Sequence, residues 1–577
     1  MTDTSTAQRR GQLPQHPQEL SGPAQWLPDG TVERLPLHPA QRDGMEIDRP
    51  CGDLPAVVSL PGGRYLRLGR DAATLLAELD GSRGREEVLA QWSAVMGRQG
   101  ALDLLTRFGT SGLLELPGAP MRSRERAFAY RKPMTFQLTL VRPQRLTGVL
   151  RALGAVLSRW PFPVLYLLLL GAGAAAAVVG RSGLVHSISA PVPVGAALGV
   201  FVSMLAVNVL HELGHATALS HFGRRPSRMG VMILYVLPAF FCDISAGWRL
   251  PDRRQRVVVA LSGVAVNAAA AALAAIAGAV SCGGAAAYWW LLAVSNAVAT
   301  AMNLLPFIKL DGYLALMGAA DVPFLRRSAM DDARGWLARA LFGHPRPPRS
   351  LQRAWSVPYG LAAMAFPVLL IGWTLTRVLS RMLPALLALG PAGAVLWLAV
   401  VALAMARLAY GAVRLLIPAA SAERPRAGWG RRLIGVGALA AVVGTALFAV
   451  RLDSSVPAGY VITGGRTVLV VPAGGGQQSV EPGERVQLRS AGLWRSPVVA
   501  TATVTGHAAS RRSVPAGVFS ALEGASGHIE VNQYPLGDIS GTPPAQMGRA
   551  TFSTGSTSLA GRLADTFLLP PLHRLGL

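Results

Sequence analysis

Long apolar stretches are the feature of this sequence that most constrains its fold. They lie at 160–180, 192–220, 256–280, 286–305, 356–378, 391–416 and 433–450. Most are long enough for an α-helix to cross the hydrocarbon core of a bilayer, which is about 30 Å thick. Only 15% of the 577 residues are charged, whereas a soluble domain usually carries about a quarter. The sequence therefore predicts a polytopic α-helical membrane protein with about seven spans.

Basic residues are unevenly distributed around these stretches. Arginine-rich segments precede the first span and occur at 224–228, 249–256, 309–353 and 424–432. Because basic residues collect on the cytoplasmic side, the N-terminus is expected in the cytoplasm and the C-terminus outside. The apolar segment 229–248 must then enter and return on one side as a re-entrant loop packed inside protein. Cytoplasmic loops account for the net charge of +24, so we expect no nucleic-acid partner.

One pattern in the second apolar stretch carries chemistry. His211-Glu212-Leu213-Gly214-His215 places two imidazoles four residues apart, on one face of a helix. Such a pair binds one metal ion, and Glu212 is placed to act on the bound water. Zinc fits best, because two imidazoles and one carboxylate leave an open fourth position for water. Ionisable side chains inside a membrane helix are costly, and they mark a functional site.

The third metal ligand has two candidates, His221 and Asp311. His221 lies ten residues after His211, the spacing of an extended zinc motif, but Ala218 stands where that motif needs glycine. In a continuous helix, His221 would lie about 80° or more off the ligand face. Asp311 follows the fourth span, beyond the helix break expected at Pro306. We expect Asp311 to be the third ligand.

The histidine motif and two others together resemble the site-2 protease family of intramembrane zinc metalloproteases. Gly263-Val264-Ala265-Val266-Asn267 lies in the third span. Asn303-x-x-Pro306 follows the fourth span and runs into Leu310-Asp311-Gly312. The three motifs occur in the family's order over about residues 190–320.

This resemblance implies a role for each matching residue. It implies three zinc ligands, which are His211, His215 and Asp311, and it makes Glu212 the general acid/base. It also implies that Asn267 and Asn303 position the substrate or stabilise the oxyanion. Hydrogen bonding between helices is an equally good interpretation of both asparagines.

Cys242 and Asp243 of the segment 229–248 each need an explanation. Cys242 is a conceivable metal ligand, but we favour a buried structural thiol. Asp243 is expected to pair with a nearby arginine such as Arg249. The segment, including 240–243, is also expected to offer an extended edge to an unwound substrate peptide.

The sequence before the apolar stretches is typical of soluble protein. Residues 1–30 are polar and rich in proline and glutamine, which predicts a disordered tail rather than a secretory signal. Residues 31–118 predict a compact α+β domain. Its expected elements are two strands around a Pro-Gly-Gly turn at 57–68, helices at 71–79, 86–96 and 101–108, and a strand at 112–116.

This N-terminal domain resembles the PqqD-like peptide-recognition domain. The match lies in residues 60–68, 72–76 and Asp80-Gly81. The resemblance implies a winged-helix-like fold that binds leader peptides of ribosomally made natural products by adding a strand to the sheet edge. A precursor peptide would then dock on residues 32–117. A generic structural module is the alternative.

Two further regions complete the chain. Residues 119–159 are basic and predict a juxtamembrane linker before the membrane metalloprotease domain of 160–450. Residues 451–577 are near neutral with alternating apolar residues and many turn residues, which predicts an extracytoplasmic β-rich barrel or sandwich. This region resembles HlyD-like modules found with peptide exporters, which implies an exporter as a partner. An unspecific β-domain is the alternative.

The motifs support three hypotheses for function. The first is a zinc endopeptidase of the cytoplasmic membrane that removes the leader of a ribosomally synthesised modified peptide or bacteriocin precursor. The second is regulated intramembrane proteolysis of a membrane-bound regulator. The third is a non-catalytic leader-binding factor for export or immunity. We favour the first, with the precursor peptide and the lipid bilayer as partners.

Overall fold

The computed structural model describes residues 35–42, 45–48, 56–60, 64–115, 128–131, 135–141, 146–234, 237–342, 349–387, 390–416, 429–472, 480–492, 494–508, 510–523, 527–543 and 546–576. The tail predicted at 1–30 lies outside these residues. The described parts of 1–163, 208–265 and 318–321 form one compact unit. Those of 164–207, 266–317 and 322–577 form a second unit.

The first unit begins with a three-stranded antiparallel sheet and two helices. The strands are β1 (Glu46–Asp48), β2 (Ala56–Leu60) and β3 (Arg64–Leu68), and they follow one another in that order. The helices are α1 (Arg70–Glu78) and α2 (Arg85–Ser111). Their buried apolar side chains form one core, which includes Leu75, Leu76, Trp92, Leu105 and Phe108.

Most of the elements predicted for this region are present. The two strands predicted at 57–68 are confirmed by β2 and β3. The helices predicted at 86–96 and 101–108 are the two halves of α2, which Gly97 interrupts with φ 78°. Of the strand predicted at 112–116, residue 116 lies outside the described residues, and 112–115 form an isolated antiparallel bridge rather than a strand. Gly112 ends α2 in the left-handed conformation, and Leu114 forms only a single bridge with Gln41.

The first unit also contains a four-stranded antiparallel sheet. Its strands are β4 (Phe128–Arg131), β5 (Thr135–Val141), β7 (Met229–Leu234) and β8 (Leu237–Cys242), in the order β4-β5-β7-β8. The segment 229–248, predicted as a re-entrant loop, therefore returns on itself as a β-hairpin and continues into a 3₁₀ helix (Ser245–Arg249). The predicted linker 119–159 contains β4, β5 and helix α3 (Thr147–Leu157).

Long helices make up most of the remaining chain. They are α4 (Pro161–Val179), α5 (Arg181–Ser189), α6 (Val194–His221), α7 (Arg253–Val280), α8 (Gly283–Asn303), α9 (Asp311–Ala320), α10 (Leu325–Phe342), α11 (Ser356–Leu387), α12 (Pro391–Leu416) and α13 (Trp429–Phe448). Helices α6 and α7 contribute residues to both units.

Five helices in the described part of the chain are long and apolar enough to cross a membrane. They are α4, α6, α7, α8 and the 356–374 part of α11. They coincide with the first five predicted spans. The predicted spans at 391–416 and 433–450 fall on α12 and α13, so a total of seven remains a prediction.

Small residues let the candidate membrane helices of the second unit approach closely. A Cβ atom at Gly173 of α4 would lie 2.5 Å from the Cβ atom of Ala272 on α7. The fully buried ring of Trp290 lies against three glycines, which are Gly180, Gly183 and Gly278. Without a hydrophobic driving force between helices in lipid, such contacts carry much of the packing.

The last part of the second unit is β-rich, as predicted, and contains a barrel. Its long strands are β9 (Arg451–Thr463), β10 (Arg466–Pro472), β11 (Arg485–Arg489), β12 (Val498–Val504), β13 (Ser510–Pro515), β15 (His528–Gly541) and β16 (Met547–Ser558). Six of them follow the order β10-β9-β16-β11-β12-β15, and pairing of β15 with β10 closes the ring. Two helices follow, α14 (Leu559–Phe567) and α15 (Leu569–Arg574).

The barrel region contacts the segment between α5 and α6. Strand β14 (Leu522–Glu523) pairs in parallel with β6 (Val192–Pro193). Two backbone hydrogen bonds extend this contact, from Val192 N to Ala521 O at 2.8 Å and from Arg495 N to Ile188 O at 3.1 Å. The chain before α6 is therefore tied to the barrel region.

Candidate metal centre

Two buried histidines lie one turn apart near the C-terminal end of α6. His211 and His215 are 5% and 3% exposed, and their Nε2 atoms are 3.2 Å apart. Two nitrogens that each bind one tetrahedral zinc ion at 2.0–2.1 Å would be separated by about 3.3 Å. The helix has therefore brought both ring nitrogens to the separation that a shared zinc ion requires.

A backbone carbonyl on α7 orients one of these rings. The Nδ1 atom of His215 lies 2.8 Å from the carbonyl oxygen of Val259, which assigns the proton to Nδ1 and leaves the Nε2 lone pair for a metal. The hydroxyl of Ser262 donates to the same carbonyl at 2.8 Å and lies 3.4 Å from Nδ1. Contacts of this kind fix the ring orientation of metal-binding histidines.

Gly263 on α7 leaves space in front of both imidazoles. A Cβ atom there would lie 2.5 Å from the Nε2 atom of His211 and 2.5 Å from that of His215. Real Cβ atoms do not come so close, so a side chain at this position would displace the two rings. The glycine of the third-span motif therefore lies directly beside the candidate ligand atoms.

The structure also groups a carboxylate with the histidines. His211, His215 and Asp311 form a candidate metal-binding group among the described residues, and their ligand atoms lie within 4.8 Å of one another. Two imidazoles and one carboxylate are a common ligand set of catalytic zinc. The residues present therefore fit a zinc ion.

The other residues predicted for the site lie on α6, α7 and α8. Glu212 follows the first histidine on α6 and is half-buried. Asn267 is buried on α7, one turn after Gly263, and Asn303 is the last residue of α8. The roles implied for Glu212 and the two asparagines remain predictions.

His221, the alternative third ligand, is engaged by α3. Its Nε2 atom lies 3.3 Å from the hydroxyl of Ser158, and its Cβ packs so closely on Gly154 that a side chain there would not fit. It is not a member of the candidate metal-binding group, although it lies on the same helix as His211.

Asp243 pairs with an arginine, but with a different one from that expected. Its carboxylate lies 3.4 Å from Nε of Arg228, and the suggested partner Arg249 instead accepts a hydrogen bond from Arg224 at its carbonyl. Burial raises the pKa of Asp243, but hydrogen bonds from Ser245 and Ser227 outweigh burial and lower it overall.

Cys242 is a half-buried free thiol at the end of β8. Burial raises its pKa well above the ordinary value, and the nearby carboxylates of Glu212 and Asp243 raise it further. Cys242 lies outside the candidate metal-binding group.

The carbonyl of Val259 is the part of the site that the sequence did not reveal. Every residue carries the same backbone carbonyl, whatever its side chain, so no residue type marks the carbonyl that accepts from His215. Only the packing of α7 on α6 selects it.

One curated protein is similar to the chain over a limited stretch. The two are 28% identical over 110 residues, which is 19% of this chain and 42% of the relative. That relative is named "Putative peptide zinc metalloprotease protein YydH" and comes from Bacillus subtilis (strain 168). The matched stretch spans less than half of the relative's length.

No protein-family model matches the chain, and no solved structure matches it significantly. The similarity to a named zinc metalloprotease and the two-histidine, one-aspartate group both support a zinc metalloprotease function in general. Apolar helices of spanning length are compatible with a membrane protein.

Proposed function

We propose that this chain is an intramembrane zinc metalloendopeptidase of the site-2 protease type that removes the leader of a ribosomally synthesised modified peptide or bacteriocin precursor. The observation that carries the proposal is the pair of buried imidazoles on α6, with Nε2 atoms 3.2 Å apart beside Gly263. The similar protein from Bacillus subtilis is named as a peptide zinc metalloprotease, which supports the same chemistry.

His211, His215 and Asp311 are the proposed zinc ligands. A zinc ion held there would act as a Lewis acid on the scissile carbonyl and would lower the pKa of the attacking water. Glu212 would take a proton from that water and deliver it to the leaving amine. Asn267 and Asn303 would position the peptide or donate hydrogen bonds to the developing oxyanion.

Strand β8 is the proposed docking edge for the peptide to be cut. It is the last strand in the order β4-β5-β7-β8, and its residue Cys242 is close enough to Glu212 for the carboxylate to affect the thiol. An extended peptide that pairs with an edge strand is held by backbone hydrogen bonds, whatever its sequence. Unwinding the substrate would expose the bond to be cut.

The N-terminal domain is the proposed docking site for the leader, as its PqqD-like pattern implies. Strand β3 lies at the edge of its sheet and beside the 3₁₀ helix Ser245–Arg249, which begins three residues after β8. A leader bound at residues 32–117 would therefore lie near the 3₁₀ helix that follows β8, the proposed docking edge.

The proposed orientation places the N-terminus in the cytoplasm and the barrel outside. Pairing of β6 with β14 supports it, because the predicted topology puts both the α5–α6 segment and the barrel on the outer side. Exposed Cys282, between α7 and α8, tests it. With the other two cysteines changed to serine, an impermeant maleimide should label Cys282 in intact cells. Labelling only after lysis would contradict this orientation.

The barrel's proposed role is to present the released peptide to an exporter, as the HlyD-like pattern implies. Its contact with β6 supports a coupling to the membrane domain. Crosslinking from the barrel surface during peptide production tests this role. Recovery of no transport protein would remove the exporter from the proposal.

Cleavage of a precursor peptide by full-length protein in detergent tests the enzymatic proposal. Glu212→Gln should slow cleavage by about 10²–10⁴-fold, the contribution of a general acid/base, while bound zinc stays at the wild-type level. Glu530→Gln, the same change at an exposed barrel residue, is the matched control.

The same experiment separates the three hypotheses. Cleavage of a neighbouring precursor peptide supports leader removal, whereas cleavage of a membrane-bound regulator alone supports regulated proteolysis. Leader binding to wild type and Glu212→Gln without any cleavage would point to a non-catalytic factor. Equal cleavage by wild type and Glu212→Gln would contradict the proposed chemistry.

A further inference from the structure

The chain breaks its helical hydrogen bonding just before Asp311. Helix α8 ends at Asn303, α9 begins at Asp311, and Pro306 lies between them without an N–H group. The last carbonyls of a helix lack intrahelical partners. In the apolar surroundings of a membrane protein, such carbonyls must be satisfied by other groups.

The connecting segment 304–310 lies outside both helices, and Tyr359 of α11 satisfies one of its carbonyls. Its hydroxyl donates to the carbonyl oxygen of Pro306 at 2.7 Å, across 53 residues of sequence. The ring of Phe307 lies beside Tyr359 and Phe366, with centroid distances of 6.0 and 5.6 Å. Both the backbone and the side chain of the connecting segment therefore contact α11.

Arg326 of α10 satisfies the next carbonyl and a second one on α11. Its Nε donates to the carbonyl oxygen of Phe307 at 3.1 Å, and one of its terminal nitrogens donates to that of Ala363 at 3.0 Å. In a regular helix the Ala363 carbonyl would accept from residue 367, which is a proline. Arg326 thus bridges a carbonyl of the connecting segment and a carbonyl of α11 that Pro367 leaves without its usual partner.

The connecting segment has little freedom beyond these bonds. A Cβ atom at Gly312 would overlap the carbonyl oxygen of Leu304, so the start of α9 lies directly against the end of α8. Asp311 immediately precedes this contact. Because its backbone belongs to the same short segment, the hydrogen bonds at Pro306 and Phe307 also restrict where Asp311 can lie.

We propose that Arg326 and Tyr359 are positioning residues for Asp311, which they hold at the metal centre through the carbonyls of Phe307 and Pro306. This inference rests on the proposed function, in which Asp311 is a zinc ligand. Arg326 is suited to the role because its planar fork donates in two directions, whereas a lysine ammonium is a single point charge on a flexible stem.

Zinc affinity of full-length protein in detergent, measured by competition with a chelating indicator, tests the proposal. Arg326→Lys should weaken zinc binding about 10- to 100-fold, the cost of losing an outer partner of a metal site. Tyr359→Phe keeps the ring and removes one hydrogen bond, so about a 10-fold loss is expected. Because that variant keeps the packing, it also serves where Arg326→Lys does not fold.

Two variants are matched controls for these changes. Arg327→Lys alters the exposed neighbour on α10, and Tyr288→Phe removes a hydrogen bond of 2.6 Å to Ser203 elsewhere among the membrane helices. Both should bind zinc within about twofold of wild type, which is less than the loss expected for an outer partner of the metal site.

A double-mutant cycle distinguishes positioning from a general structural role. If Arg326 acts through Asp311, Arg326→Lys should cause no further loss of zinc affinity once Asp311→Ala is present. Equal losses in both backgrounds would overturn the proposal. The proposal would also be overturned if Arg326→Lys and Tyr359→Phe bound zinc with wild-type affinity while Asp311→Ala bound it weakly. Unchanged affinity in Asp311→Ala would instead show that the proposed ligand set is wrong.

Discussion

The histidine and aspartate sides of the candidate metal centre are built in different ways. On the histidine side, one continuous helix places His211 and His215 a turn apart, and their separation follows from helical geometry. On the aspartate side, the helix is broken before Asp311. The segment there is held by Arg326 and Tyr359, which lie 19 and 53 residues along the chain from the carbonyls that they bind. A ligand pair needs only local structure, whereas a lone ligand after a break depends on tertiary contacts.

Loss of a ligand from the helical side has the largest expected effect. His215→Ala removes one of the paired imidazoles, so zinc affinity should fall by more than about 10²-fold, beyond the loss seen for outer partners. Cleavage should disappear with the metal. Zinc content after dialysis measures the effect, with His221→Ala as the control. Zinc loss in His221→Ala and retention in Asp311→Ala would reverse the assignment of the third ligand.

A larger side chain at Gly263 of α7, which faces the two histidines, is expected to have the next largest effect. Gly263→Ala places a methyl group 2.5 Å from both Nε2 atoms. Overpacking costs about 1–3 kcal/mol, so zinc affinity should fall about 5- to 150-fold. Gly171→Ala on α4, where a Cβ atom meets nothing within 4 Å, is the control. Zinc titration giving equal affinities for the two variants would show that the rings move aside freely.

The C-terminal end of α9, the helix that begins at Asp311, also depends on a tertiary contact, which is an ion pair. Arg256 is almost fully buried and contacts Asp321 at 2.7 Å, just after the helix ends. Asp321→Asn should lower the free energy of unfolding by about 2–3 kcal/mol, because it replaces the charged hydrogen-bond acceptor of a buried arginine by a neutral one.

Thermal unfolding in detergent measures this loss. Asp331→Asn breaks an exposed ion pair with Arg334 and should cost less than about 1 kcal/mol. A loss no larger in Asp321→Asn than in Asp331→Asn would mean that the Arg256 pair adds nothing to the stability of this end of α9.

The smallest expected effect is a pH dependence at Asp243, beside the hairpin rather than the helices. Burial raises its pKa, but bonds from Ser245 and Ser227 lower it overall below the ordinary 3.8. A depressed carboxyl pKa contributes stability that is present above the unfolded value and is lost as pH falls through the folded value. Asp243→Asn should therefore be less stable than wild type near neutral pH, by about 1.5–3 kcal/mol.

This difference should shrink as the pH falls below about 4. Thermal unfolding of both proteins between pH 7 and pH 3 measures it. The control is Asp538→Asn on the barrel surface, where the carboxylate also accepts a hydrogen bond from a hydroxyl, that of Thr503. A constant difference across this range would contradict the depressed pKa of Asp243.

Sequence patterns succeeded where one element contains the whole signal. The paired histidines, the five long apolar helices and the strands β2 and β3 each follow from spacing within a short segment. Strands β4 and β5 were missed although Phe136, Leu138 and Leu140 alternate with polar residues, because the basic character of 119–159 favoured a linker. Pairing of β5 with the hairpin at 229–242 joins residues about 95 positions apart.

Choices among equivalent partners were beyond the sequence. Several arginines flank Asp243, and only the hairpin geometry selects Arg228 over Arg249. Pro367 indicates that the carbonyl of Ala363 lacks its helical donor, but no pattern names Arg326 as the replacement or links it to the carbonyl of Phe307. The closing of the barrel by β10 and β15 is likewise a long-range pairing.

The sequence by itself determined which residues are candidates for metal chemistry and which segments are long and apolar enough to cross a membrane. Helical periodicity and the cost of burying charge act locally, so both can be calculated from neighbouring residues. Only the tertiary structure decided which carbonyl orients His215, which glycine makes room for the rings, and which side chains hold the segment before Asp311. Those contacts join distant parts of the chain, and their energies exist only once the helices have packed.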